Sequence, residues 1–152
     1  MTSGSRNEYD QLCLIGDGYL YVTETMDAAT YRNSGKEAIH QRRIITIARA
    51  FRWTCYHTHY SMGSDKGYPD LTLIHPNFAQ TIWIEVKGPK GRIHPEQVAW
   101  LARINEQPAT RLGIVVFPPD IDAVEQLLQE NPVDIYEHEG VLRVRLPNQE
   151  GA

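Results

Sequence analysis

Three ionisable residues of this 152-residue chain stand at spacings suited to hydrolytic chemistry: Asp70, Glu85 and Lys87. Asp70 sits in Gly67-Tyr68-Pro69-Asp70-Leu71-Thr72-Leu73-Ile74, where a Gly/Pro loop becomes an apolar strand. Glu85 and Lys87 are two apart in Ile82-Trp83-Ile84-Glu85-Val86-Lys87, so on a strand they share a face while Ile82, Ile84 and Val86 take the other. Two carboxylates from neighbouring strands with a lysine beside them make a site for a hard divalent cation. Magnesium binds through one or two carboxylates, keeps several waters and prefers oxygen ligands. The backbone carbonyl of Val86 could add a third oxygen. Such a set suits phosphodiester hydrolysis, which needs an activated water and stabilisation of charge at phosphorus. Lys87 could orient that water or neutralise the phosphate; its simpler role is a salt bridge to Glu85 or Asp70.

The elements that must position these residues follow from pattern. Ser34-Gly35-Lys36-Glu37 has the Ser-x-x-Glu form of a capping box. It starts a helix to about Phe51, with Ala38, Ile44, Ile45, Ile47, Ala48 and Phe51 as its apolar stripe. Glu37 and Gln41 lie one turn apart on one face. The stretch from Trp53 to Tyr60 is rich in aromatic and β-branched residues and reads as a strand. Strands at Asp70–His75 and Thr81–Lys87 follow, joined by a turn. After the basic loop Gly88-Pro89-Lys90-Gly91-Arg92, Pro95 opens a helix to about Gln107 with Val98, Leu101, Ala102 and Ile104 inward. Leu112–Phe117 is a continuous apolar run, a strand buried on both faces. Pro119–Glu130 forms a third helix, and Val133–Tyr136 with Val141–Leu146 a final hairpin around Glu139-Gly140. The order α-β-β-β-α-β predicts an α/β sandwich around a mixed central sheet, with a parallel right-handed crossover from Thr81–Lys87 to Leu112–Phe117. Residues 1–33 form an N-terminal extension in which Gly16-Asp17-Gly18 marks a second hairpin; residues 34–152 carry the rest of a single domain.

Charge is unevenly spread. The chain carries −4 overall, which by itself argues against a polyanion partner. From Ser34 to Arg111, however, there are eleven basic and six acidic residues, a net of +5, and three of those acids are Glu37, Asp70 and Glu85. The remainder carries −9. A basic middle between acidic ends fits a local phosphate-binding surface, although Arg42, Arg43, Arg49 and Arg52 could equally solvate a helix face. Lys66, Lys90 and Arg92 flank the carboxylates in glycine-containing loops and suit phosphate contacts. No finger or helix-turn-helix motif offers base readout, so recognition by shape is expected. Cys13 and Cys55 lack metal-ligand spacing, and His57 and His59 lack further ligands for zinc. The apolar runs fall short of the about 20 residues of a membrane span. Free thiols and the absence of a signal-peptide layout point to the cytoplasm.

On these residues the chain resembles a known group. Pro69-Asp70 followed by Glu85-Val86-Lys87 is similar to the signature of the PD-(D/E)xK nuclease superfamily. Four blocks in order resemble the VRR-NUC family: Glu37-x-x-x-Gln41; Gly67-Tyr68-Pro69-Asp70-Leu71; Ile84-Glu85-Val86-Lys87; and Gly91-Arg92-Ile93-His94-Pro95-Glu96-Gln97 leading to Trp100. The resemblance covers about Ser34 to Phe117. It implies a restriction-endonuclease-like αβββαβ core and DNA cleavage dependent on Mg2+ or Mn2+. It implies a stand-alone, phage-type member acting as a homodimer on branched DNA such as four-way junctions or flaps. Carried over by residue, Asp70 and Glu85 are metal ligands with the Val86 carbonyl, Lys87 is the catalytic lysine, and Glu37 reaches the metal directly or through water. Gln97 supports Lys87 or the scissile phosphate. A nucleic-acid contact at Gln41 is implied only by this resemblance. His94 stands where the family often has Ser, which weakens the helix cap. Trp100 reads as core packing. A sequence-specific nicking or restriction-like enzyme, or a non-catalytic DNA-binding module on the same fold, are the alternatives.

Overall fold

The computed structural model describes residues 37–58 and 65–147. The expected N-terminal hairpin, the Ser34 cap, Cys13 and His59 lie outside them. Helix α1 spans Glu37–Ala50 and buries Ile44, Ile45, Ile47 and Ala48 of the stripe that its periodicity predicts, together with His40 and Thr46, which that stripe does not include. Ala38 departs from that stripe: it lies in the first turn, beyond the end of the core, and is exposed. Four strands follow in a single sheet of order β1-β2-β3-β4: β1 Thr54–His57, β2 Leu71–Ile74, β3 Thr81–Val86 and β4 Arg111–Val116. The first two pairings are antiparallel and β3–β4 is parallel, so the sheet is mixed.

Helix α2, Pro95–Ile104, supplies the crossover that a parallel pair requires. A 3-10 turn over Pro118–Asp120 leads into α3, Ile121–Leu128. The helix expected from Pro119 to Glu130 is therefore split and shorter, because two prolines tighten its start. Strands β5, Asp134–His138, and β6, Val141–Arg145, make the expected hairpin. Its two-residue turn, Glu139-Gly140, takes positive φ at both positions, the conformation that matches strand twist.

Sheet pleat sorts the core into two layers. Leu71 and Leu73 on β2, Ile82, Ile84 and Val86 on β3, and Leu112, Ile114 and Val116 on β4 pack with α1 and α3. Burying each such aliphatic side chain is worth about 1.5–3 kcal/mol, so this layer dominates stability. On the opposite face Val115 packs with Leu101 of α2 and Val141 of β6, joined by Ile93, Val98 and Phe117. Ala102, expected inside, is exposed, since the contact stripe of α2 runs through Leu101 and Ile104. Asn105 at the end of α2 fixes the helix to the β4 backbone. Its side chain donates to the Gly113 carbonyl at 2.9 Å and accepts from the Gly113 N–H at 2.7 Å. Beyond α2, the β1–β2 part of this face leaves Tyr56 and Ile74 exposed.

Candidate active site at the β2–β3 hairpin

Glu85 and Lys87 emerge from β3 on the α2 side, as alternation requires, while Ile84 and Val86 anchor the strand in the main core. Both charged residues are nonetheless buried, Glu85 at 4% and Lys87 at 5% exposure. A buried charge persists only if paired and hydrogen-bonded, and one residue supplies most of the pairing. Gln97, in the first turn of α2, accepts from Lys87 Nζ at 2.8 Å through Oε1 and donates to Glu85 Oε2 at 3.1 Å through Nε2. Lys87 Nζ also lies 3.5 Å from Glu85 Oε2. The same Gln97 Oε1 accepts the His94 N–H at 2.9 Å. The amide is thus one half of a capping box, oriented by the helix terminus before it reaches the ionic pair. That bond compensates for the weak capping side chain of His94.

Asp70 precedes β2 and turns toward β3. Its Oδ2 accepts the Val86 N–H at 2.8 Å. The Lys87 N–H donates to the Val116 carbonyl at 2.9 Å. In a parallel ladder this puts the N–H and C=O of Val86 on the other side of the strand, toward Asp70. The Asp70 carboxylate and the Val86 carbonyl therefore lie on one side of β3, with the Glu85 side chain next along the strand. Thr58 holds the loop before β2: its N–H donates to the Asp70 carbonyl at 2.8 Å and its hydroxyl to the Pro69 carbonyl at 2.9 Å.

The electrostatics describe a site short of positive charge. Burial, then the Asp70 charge, pushes the Glu85 carboxyl up to about 8, against the opposing pull of Lys87; a hydrogen bond with Asp70 and the charge of Glu37 add to the rise. Glu37 is also raised, by burial first and then by Asp70, with Lys87 acting the other way. These influences bring Glu37, at the start of α1, into the same electrostatic neighbourhood as the residues of β2 and β3. Like-charged carboxyls crowded round one lysine disfavour their ionised forms until a cation joins them.

The donor set fits one class of cation. It is oxygen-only: two or three carboxylates and a strand carbonyl. Among the described residues no group of three or more His, Cys, Asp or Glu side chains is placed to hold a metal ion by itself. The Asp70 and Glu85 carboxylates with the Val86 carbonyl suit an ion of the magnesium class, which takes one or two carboxylates and fills its remaining positions with water and substrate oxygens.

The loop before Asp70 is locked onto α2. Gly67 has φ +90°, and a Cβ there would lie 2.6 Å from the Glu96 carbonyl carbon and oxygen and 2.9 Å from the Gln97 nitrogen. Only glycine allows that left-handed backbone to press on the helix start. Trp100, one turn beyond Gln97, donates its indole N–H to the Lys66 carbonyl at 3.1 Å. Its ring meets Tyr68 edge-on at 5.1 Å, and the Tyr68 hydroxyl accepts from Trp83 Nε1 at 3.0 Å. Trp100 is therefore half-buried docking surface for the Asp70 loop rather than core packing. The signal for this role was its place one turn after Gln97, on the same face of α2. Gly91 covers Lys87: a Cβ there would lie 3.0 Å from the Lys87 Cβ.

Of the residues expected to act together, Asp70, Glu85, Val86, Lys87 and Gln97 are joined by direct contacts, while Glu37 reaches them only through its charge. Lys66, Lys90 and Arg92 are exposed around them, and none forms an ion pair with a described residue. Gln41 is half-buried one turn after Glu37, with no side-chain hydrogen bond to a described residue. His57 belongs to β1 and joins no metal-ligating group among the described residues. No described helix is long and apolar enough to cross a membrane.

Comparison with protein families matches residues 19–115, more than half of the chain, to the VRR-NUC domain. No match was found among curated proteins or among solved structures.

Proposed function

From the premise that the chain belongs to the VRR-NUC domain family, and so to the nucleases, we propose that it is a metal-dependent endonuclease that hydrolyses phosphodiester bonds in branched DNA. The observation that carries the catalytic part is the Lys87–Gln97–Glu85 relay beside Asp70. It buries a cation and a carboxylate together, an arrangement that costs stability unless the polar groups serve a further purpose.

Asp70, Glu85 and the Val86 carbonyl would hold an ion of the magnesium or manganese class, with Glu37 contributing directly or through water. Such an ion, when bound, supplies Lewis acidity at phosphorus and lowers the pKa of a coordinated water. The chain's own residues do the rest. Gln97 holds Lys87 Nζ beside Glu85, where the ammonium orients the attacking water and offsets charge building on the phosphoryl oxygens. The water oxygen bonds to phosphorus, the bond to one ester oxygen breaks, and that oxygen leaves with a proton. Gly91 over the lysine stem and the loop lock at Gly67 keep solvent and slack out of the pair. Lys66, Lys90 and Arg92 bind flanking phosphates, so affinity falls with salt.

Preference for four-way junctions or flaps, and action as a homodimer that presents two sites to two strands, are supported by the family resemblance and by the absence of a base-reading motif. The test is cleavage of labelled linear duplex, flap, splayed-arm and four-way junction DNA with Mg2+ and with Mn2+. The wild type should cut branched substrates first, while Lys87→Ala and Asp70→Asn should bind but not cut. Wild-type-like cleavage by either variant would falsify the site. Cutting of linear duplex at a fixed sequence would replace the branched-DNA reading with a restriction-like one, and binding without cutting would leave a DNA-binding module.

A further inference from the structure

We infer that the β5–β6 hairpin, which lies beyond the family-matched residues 19–115, carries a second contact for the nucleic-acid backbone, centred on Arg145 held over Tyr136. The inference rests on the nuclease reading and extends its footprint.

Register places the hairpin on the rim of the active site. Strands β3 and β4 are parallel, with Glu85 opposite Val115 and Val86 opposite Val116, so Lys87 and Phe117 leave the sheet at the same edge and on the same face. Strand β6 packs against β4 without joining its sheet. Val141 packs with Val115 and Leu101, and two residues on the Arg143 guanidinium lies 4.7 Å from the centre of the Phe117 ring. The rim therefore runs Lys87, Phe117, Arg143. Arg145 follows Arg143 on the same face of β6. The Gly140 turn packs near Val98 of α2, which ties the hairpin to the helix that bears Gln97.

The two arginines differ in what remains available. Arg143 is committed: its Nη2 lies 2.9 Å and 3.1 Å from the two Asp120 oxygens, and Nε donates to Oδ2 at 3.2 Å. Asp120 in turn accepts the Phe117 N–H at 3.0 Å. Arg145 has no carboxylate partner among the described residues. Its guanidinium lies 4.4 Å from the centre of the Tyr136 ring, on which Arg143 also bears at 5.8 Å. Its Nε is covered and unpaired. Asp134 stands opposite in register yet forms no ion pair with it. A planar cation held on an aromatic face, with no carboxylate on its fork among the described residues, is suited to a phosphate diester.

The test is binding of a fluorescein-labelled four-way junction by fluorescence anisotropy, in EDTA so that nothing is cut, across a series of potassium chloride concentrations. Arg145→Gln should lower the slope of log Kd against log salt by about one and weaken binding several-fold. Arg145→Lys should keep the slope, and Asp134→Asn should tighten binding. Melting curves of each variant check the fold. A wild-type slope in Arg145→Gln overturns the inference. If Lys90→Gln with Arg92→Gln lowers the slope while Arg145→Gln does not, the hairpin contact fails and the nuclease reading stands. If the wild type does not bind DNA at all, both fall.

Discussion

Glu85→Gln offers the sharpest test of the electrostatics, because it removes a charge and keeps a hydrogen-bonding side chain of the same shape. In the metal-free protein burial and Asp70 lift the Glu85 carboxyl from 4.5 to about 8. The folded state therefore holds this proton more tightly than the unfolded state. The associated stability is complete below about pH 4.5 and is lost as the pH climbs through about 8. Each tenfold change in proton affinity is worth about 1.4 kcal/mol, so the loss has a ceiling of about 5 kcal/mol. Relaxation around the ionised carboxylate keeps the realised value lower, and we expect about 2 kcal/mol, which is about 4–8 °C in Tm for a domain of this size. The assay is thermal melting in EDTA from pH 5 to pH 8.5. Wild-type Tm should fall relative to Glu85→Gln over that window. The pH dependence carries the test rather than the absolute Tm, since the variant also loses the ion pair with Lys87. Magnesium should then raise the wild-type Tm more at pH 8 than at pH 6, because the proton must leave before the cation binds. Curves for the two proteins that stay parallel across the window would refute the crowded-carboxylate picture.

Three further outcomes follow from single contacts. Gly67→Ala places a Cβ 2.6 Å from the Glu96 backbone at φ +90°; it should lower stability by about 1–3 kcal/mol by denaturant titration and reduce cleavage with it. Gln97→Ala breaks both the Lys87 and Glu85 hydrogen bonds and should cut kcat by about 10–100-fold with little change in DNA affinity. Gel-based kinetics showing an affinity loss instead would make Gln97 a substrate contact. Asp120→Ala leaves the Arg143 guanidinium half-buried without its carboxylate and should cost about 3–5 kcal/mol, whereas Asp120→Ala with Arg143→Met should regain part of it; equal stabilities of the single and double variants would contradict a net role for that pair.

How much of this was legible in the chain can be argued from particular residues. Strands β2 and β3 fell within one residue of their expected ends, because alternation and the flanking Pro69 and Pro76 mark them locally. The final hairpin was legible from Glu139-Gly140, whose turn geometry is intrinsic to those residues. The start of α3 was misjudged, because a proline pair supports a helical first turn as readily as a 3-10 one. Trp100 reads as core in the sequence, because its place one turn after Gln97 shows which helix face it takes but not that the Lys66 and Tyr68 loop docks there. Asp120 looked like a residue of a helix start; its partner Arg143 is 23 positions away, a separation that no window of sequence can read.

By itself the sequence determined the candidate chemistry: which residues are carboxylates, that Glu85 and Lys87 share a strand face, and that Asp70 ends a Gly/Pro loop. Those are consequences of residue type and of the two-residue period of a strand. Only the tertiary structure decided how far the site departs from an exposed ion cluster. Bringing α2 across the sheet buries Glu85 and Lys87 and inserts Gln97 between them, and docking the Gly67 loop on α2 sets Asp70 beside that relay. The raised carboxyls arise from that packing, which gathers Glu37, Asp70 and Glu85, far apart in the chain, around one poorly solvated place.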